Sequence, residues 1–363
     1  MAQRKKAKLI LEDGSVFEGE LFGAQKPVAG EVVFSTGMVG YPESLTDPSY
    51  SGQILAFTQP MIGNYGVPEP KRDEHGLPFG MESEKIHALG AVINDLSEDF
   101  EHPEHSRSFD EWLAAEGVPG ITGVDTRALT KVLREKGTML GKIEIGKKPI
   151  PFHDPNKANL VDEVSSHEVT VYGKSRKKVV LLDCGVKHSI IRSLLERGLE
   201  VTRVPWDHDF IPLLKNSHIG LVISNGPGNP KMVPEAVKNV KRAFRVGKPI
   251  MGICLGNQIL ALAAGFDTYK MKYGHRSQNQ PAVDKKDQRC YITSQNHGYA
   301  VTEDSGPSTW KILFSNANDG TVEGIIHKQK PFFAVQFHPE ARPGPTDTSY
   351  LFDSFIKKCS CGS

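Results

Sequence analysis

The sequence predicts an α/β protein of two parts: a mixed α/β domain over residues 1–154, and a doubly wound parallel sheet over 178–358, joined by a linker at 155–177. Three observations carry that prediction. The length of 363 residues suits about two domains at roughly 150 residues each. The first half is cut by frequent turns into short apolar runs. From Lys178 onward, continuous apolar runs alternate with helical spacing, the pattern of a parallel sheet covered on both faces.

In the first half, Leu9–Leu11 reads as a strand, and Glu12-Asp13-Gly14 as a hairpin turn. Gly30–Phe34 and Ile54–Thr58 read as further strands. Phe109–Glu116 and Thr126–Lys136 have amphipathic spacing. The second of these follows Asp125 and stops at Gly137, as helix ends prefer. Residues 155–177 are polar with little periodicity, apart from a brief strand around Val169–Tyr172. Then Val179–Cys184, Glu200–Trp206, Ile219–Ser224, Pro249–Ile253 and Phe332–Phe337 read as strands. Lys187–Arg197, Pro234–Val246 and Asn257–Ala264 read as helices between them. In such sheets, ligands bind where loops leave the carboxyl ends of the strands.

Lys plus Arg number 44 and Asp plus Glu 43, a net charge of +1, which excludes a protein whose main business is electrostatic attraction to nucleic acid. No apolar stretch approaches the roughly 20 residues of a membrane span. Residues 1–8 are basic and lead straight into a strand, with no apolar signal segment, so the cytoplasm is expected and an organelle is left open. Five cysteines, an odd number, do not make a disulfide framework. Cys359-x-Cys361 has no second ligand cluster near it, and no metal is expected.

The strongest local signal is Gly252-Ile253-Cys254-Leu255-Gly256-Asn257-Gln258. A buried strand delivers a cysteine into a sharp turn, and a helix begins at once. That is the mechanical logic of a nucleophile elbow. A core cysteine has no need of glycine on both sides, whereas a tight turn does. A thiol nucleophile needs a base, and the base needs an orienting group. Phe332–Phe337 runs into His338-Pro339-Glu340, where alternate residues of an extended segment share a side. Ser224-Asn225-Gly226-Pro227-Gly228 follows another strand and suits backbone N–H donation to a developing oxyanion. Gln295-Asn296-His297-Gly298-Tyr299 is a fourth polar cluster between apolar stretches.

Taken together, the G-x-C-x-G-x-Q elbow, the S-N-G-P-G loop and the later H-P-E resemble the class I glutamine amidotransferases over about residues 178–358. The first half narrows this. Leu11–Gly14, Gly30–Phe34, Gly40–Glu43, Leu45–Tyr50, Gly63–Gly66 and Gly123–Arg127 are similar to the small, glutaminase chain of carbamoyl-phosphate synthetases. The resemblance implies Cys254 as nucleophile, His338 as general base and acid, and Glu340 as its orienting carboxylate. It also implies glutamine contacts from Ser49, Gly226, Gly228, Leu255, Gln258, Asn296, Gly298 and Tyr299. The implied partner is a large synthetase chain that carries ATP and Mg, so this chain itself needs no cofactor. The implied product serves arginine or pyrimidine synthesis.

Two positions depart from the family pattern: Ser277 stands where a Gly is common in the Tyr273–Gln280 loop, and Asn257 stands where the elbow usually has His. It lies three residues after Cys254, so its side chain is expected near the glutamine pocket or the partner interface. Two functions compete. One is a working glutaminase that feeds ammonia to its partner. The other is a weakly active or regulatory subunit supporting an ammonia-dependent partner. Glutamate release from glutamine separates them.

Overall fold

A computed structural model describes residues 4–69, 71–102, 105–146 and 148–360. The chain divides into two compact units, Met1–Ala158 and Asn159–Ser363.

Among the described residues of the first unit, seven strands close a barrel. In spatial order they are Lys6–Leu11, Met139–Ile145, Val28–Ser35, Gln53–Phe57, Gly90–Val92, Pro119–Thr122 and Val16–Gly23. Closure depends on close approach at glycines. A Cβ on Gly141 would run into Val32, and one on Gly120 into the ring of Phe22. The helix Phe109–Ala115 starts at a reciprocal cap, in which Ser108 accepts from Glu111 N–H and Glu111 accepts from Ser108 N–H. Thr126–Lys136 is capped by Asp125, which accepts from Ala128 N–H at 2.8 Å. The strand and helix expectations for this half hold. The barrel, and the strands Val16–Gly23, Gly90–Val92, Pro119–Thr122 and Met139–Ile145, are additions.

The second unit is built on a ten-stranded sheet among its described residues. Lys178–Asp183, Glu200–Pro205, His218–Ile223, Ile250–Ile253 and Phe332–Val335 run parallel. Their apolar side chains are buried apart from the partly exposed Ile219 and Pro205, as expected for strands covered on both faces. The other half is antiparallel: Val322–His327, Cys290–Val301, Thr268–Asp284 and Trp310–Asn316. That half was not anticipated.

The expected linker needs correction. Residues 160–172 fold onto the second unit rather than run free. Leu160–Val164 is a short helix whose Val161 joins the apolar core, and Thr170–Tyr172 pairs with Glu200–Pro205. Ser165 Oγ donates to the Asp183 carbonyl at 2.7 Å, and the Asp183 carboxylate accepts from Ser166 N–H at 2.7 Å. A segment with buried apolar and hydrogen-bonded residues is part of a fold, however polar its composition.

Candidate active site

Cys254 follows the strand Ile250–Ile253 and directly precedes the helix Leu255–Ala264. Its backbone lies at φ 54°, ψ −105°, a region that L side chains rarely adopt, and its side chain is buried. Both flanking glycines are obligatory. A Cβ on Gly256 would fall on the Ile223 carbonyl, and one on Gly252 would meet the Gly256 carbonyl. The helix therefore starts hard against two strand ends, which forces the turn and holds the sulfur at the carboxyl edge of the sheet.

His338 and Glu340 meet, as the sequence implies, but not through an extended segment. The strand stops at Val335, His338 makes an isolated bridge to Ser294, and residues 339–340 turn, with Ala341 N–H donating to the His338 carbonyl at 3.1 Å. Proline between the two residues cannot continue a ladder, so the chain turns instead. His338 Nδ1 lies 2.7 Å from Glu340 Oε1. With that nitrogen donating, Nε2 is the basic one, and it is buried without a well-formed partner among the described residues.

Sequence reasoning missed Lys187. Its ammonium is buried 3.1 Å from Glu340 Oε1 and donates to the carbonyls of Ala341 and Arg342 at 2.8 Å. The signal was a lysine four residues past a strand whose middle, Val179–Leu182, is apolar throughout. Burial works against the charge on Glu340, yet Lys187 and His338 hold its carboxyl well below the usual range. Burial likewise works against a charged His338, but Glu340 and Cys254 push it up, with Lys187 opposing. The net effect is an imidazole that readily keeps a proton.

Gly226 and Leu255 lie side by side: a Cβ on Gly226 would meet Leu255 Cδ2 at 2.8 Å and fall on the Cys184 carbonyl. Leu255 is the first helical residue, so its N–H has no partner within the helix. Gly228, at φ 81°, completes the loop against Leu160. The loop is braced from below: Ser224 Oγ accepts from Cys184 N–H at 2.9 Å, and Asn225 Oδ1 from Lys187 N–H at 3.0 Å. Cys254 Sγ donates to the Asn296 carbonyl at 3.6 Å. Gln258 Nε2 donates to the Tyr299 carbonyl at 2.9 Å, which leaves its buried Oε1 without a partner among the described residues. Gly298 lies beside the Arg276 guanidinium. The second unit thus gathers every expected site residue but one; Ser49 sits in the first unit, buried in the turn Pro48–Tyr50.

Asn257 is not on a surface, where a role at the partner interface would place it. It is fully buried, and its Nδ2 donates to Gln336 Oε1 at 3.1 Å. The helix containing it is buried nearly all round, so the face shared with Cys254 points into the core.

Among the described residues, His275, His297 and Glu323 have donor atoms close enough together to hold a metal. They are already engaged. His275 Nε2 lies 2.8 Å from Asp319, its Nδ1 3.3 Å from Glu323, and His297 bonds the Tyr299 carbonyl and Gln295. Of the tail cysteines, Cys359 is buried and its thiol is pushed up to about 12 by burial, while Cys361 lies outside the described residues.

Residues 180–358 match the family Glutamine amidotransferase class-I, and residues 9–143 match Carbamoyl-phosphate synthase small chain, CPSase domain. The chain is 54% identical over 357 residues to the multifunctional protein CAD of Squalus acanthias, covering 97% of this chain and 16% of that one. It is 51% identical over 356 residues to the mitochondrial carbamoyl-phosphate synthase [ammonia] of Mus musculus, covering 97% of this chain and 24% of that one. The arginine-specific carbamoyl phosphate synthase small chain of Aspergillus fumigatus is 49% identical over 362 residues, or 97% of this chain and 79% of its own length. The chain therefore spans only a minor part of the first two relatives but most of the third. With a small-chain domain followed by an amidotransferase domain, and a relative matched along most of its length, this chain belongs to the carbamoyl-phosphate synthase small-chain family.

Proposed function

We propose that the chain hydrolyses glutamine and passes the ammonia to a large synthetase chain that makes carbamoyl phosphate. The observation that carries this reading is the arrangement at the elbow: a buried cysteine in a strained turn at a helix start, with a histidine whose other nitrogen is held by a carboxylate. In the reaction, Cys254 sulfur attacks the side-chain carboxamide carbon and its proton passes to His338 Nε2. The tetrahedral oxyanion sits against the N–H groups of Gly226 and Leu255. His338 then protonates the departing nitrogen, the C–N bond breaks, and ammonia leaves a thioester on Cys254. Water, losing a proton to His338, attacks the thioester; glutamate departs and the sulfur regains its proton. Gln258 Oε1, buried without a partner among the described residues, accepts from the substrate, and Gly228, Asn296, Gly298 and Tyr299 supply further glutamine contacts within the second unit.

The relatives' names support carbamoyl phosphate as the product, and the arginine-specific chain supports a separate large partner. ATP and Mg belong to that partner, and hydrolysis here runs on this chain's own side chains and backbone N–H groups. No helix among the described residues is long and apolar enough to cross a membrane. Cys254→Ser is expected to lower glutamate release by about 10³-fold or more, while ammonia-dependent carbamoyl phosphate synthesis by the partner persists. Glutamate release at the parental rate overturns the assignment.

A further inference from the structure

Gln336 is a polar side chain inside the apolar run Phe332–Phe337 and is fully buried. Such a residue is costly unless its hydrogen bonds are made. Its Nε2 lies 3.7 Å from Cys254 Sγ, and its Oε1 accepts from Asn257 Nδ2 at 3.1 Å and from Gln258 Nε2 at 3.2 Å. A carboxamide has two nearly isosteric orientations, so which end faces the sulfur must be fixed by its partners. Here a backbone fixes it. The Tyr299 carbonyl can only accept, so the Gln258 atom against it is the NH₂. That same NH₂ faces Gln336, so the Gln336 atom there is the oxygen. The remaining end, an N–H donor, is then turned to the sulfur. Asn257 adds a second donor to the same oxygen and leaves its own buried Oδ1 without a partner among the described residues. An asparagine with half its amide unsatisfied in a core does not serve stability.

We propose that Gln336 is a further catalytic residue, whose amide N–H holds the Cys254 sulfur and favours its anionic form, and that Asn257 is the positioning residue that locks that amide. The inference rests on Cys254 being the nucleophile. While the thiol keeps its proton, its S–H is satisfied by the Asn296 carbonyl. Once the proton leaves, that carbonyl offers the anion nothing, and the Gln336 N–H becomes the neutral donor at the sulfur.

The test is the pH profile of Cys254 alkylation by iodoacetamide, followed by mass spectrometry of the Cys254 peptide in the full chain. Gln336→Met keeps the bulk and removes the donor. Its profile is expected to move to higher pH, with alkylation at pH 7 about tenfold slower, since a hydrogen bond to a charged group is worth at least this much. Asn257→Leu is expected to move the profile in the same direction by less, because Gln258 still holds the amide. The exposed Cys290, read in the same digest, is expected to keep its parental profile. If Gln336→Met does not fold, the Asn257→Leu profile decides by itself. Cys254 profiles that superimpose on the parent overturn the proposal. A Cys254→Ser chain that still releases glutamate overturns the functional reading instead, so the two failures are distinguishable.

Discussion

Without the Lys187 ammonium, Glu340 would keep His338 as its remaining counter-charge in a site closed to water. Both members of the Lys187–Glu340 pair are essentially inaccessible, so breaking it leaves a buried carboxylate held by His338 alone, at a cost of up to about 3–5 kcal/mol. Lys187→Met is expected to lower the urea-unfolding free energy by about that amount, and Lys187→Met with Glu340→Gln by clearly less than the two single losses added. Additive losses would show that the pair does not interact. For the chemistry, Glu340→Gln is expected to cost less in kcat than His338→Asn, because the carboxylate orients and stabilises the imidazolium while the imidazole moves the proton. Equal losses in the two variants would contradict this division. Cys254, His338 and Glu340 were legible because glycines and a proline frame them in the chain. Lys187 and Gln336 were not, because their partners lie 153 or 82 residues away along the sequence and only the fold brings them close.

At the level of elements, the elbow depends on the helix Leu255–Ala264 pressing its first turn against the strand His218–Ile223. Gly256→Ala inserts a methyl where the Ile223 carbonyl already lies, so the helix must shift. A destabilisation of about 1–3 kcal/mol is expected, within the usual range for overpacking. Glutamate release should suffer more than a loss of that size in a remote core position causes, which thermal melts and rates measured together would check. The parallel strands were readable because both faces are buried and the chain is apolar throughout, as in Val179–Leu182. Thr268–Asp284 was not. Its burial changes along its length, exposed at Tyr269, buried from His275 to Ser277 and mixed after that, so no single period runs through it. The barrel was hidden for another reason. Its closure is written in glycines that permit contact, and a permissive residue gives no periodic signal.

For the whole molecule, buried ionisable groups set how stability follows pH. His297 is held far below its ordinary value of 6.5, first by burial and then by His275. The unfolded chain takes up a proton there that the folded chain refuses. Stability from this group is therefore present above 6.5 and falls as pH drops below it. His275 has the opposite sign: despite burial, Glu323 and Asp319 raise it, so its contribution is full below 6.5 and fades as pH rises through the raised value. Glu340, depressed, contributes above the ordinary 4.5 and loses that contribution in stronger acid. His297→Gln is expected to flatten the loss of urea resistance between pH 7 and 5 relative to the parent chain. A variant whose urea midpoint falls as steeply as the parent's would remove His297 from this account.

The backbone at Cys254 has a consequence for how such a chain can drift. At φ 54° and ψ −105°, every residue except glycine sits uphill. Replacing a residue by glycine usually costs about 1 kcal/mol relative to alanine through the freedom it gives the unfolded chain. Here the ordinary order should narrow or invert, with Cys254→Gly melting no lower than Cys254→Ala. Selection for glutamine hydrolysis is then what keeps a side chain at this point. Where ammonia arrives by another route, mutation meets no barrier of stability on the way to losing the nucleophile, and regaining it means climbing back into strain. The ratchet lies in a single pair of torsion angles.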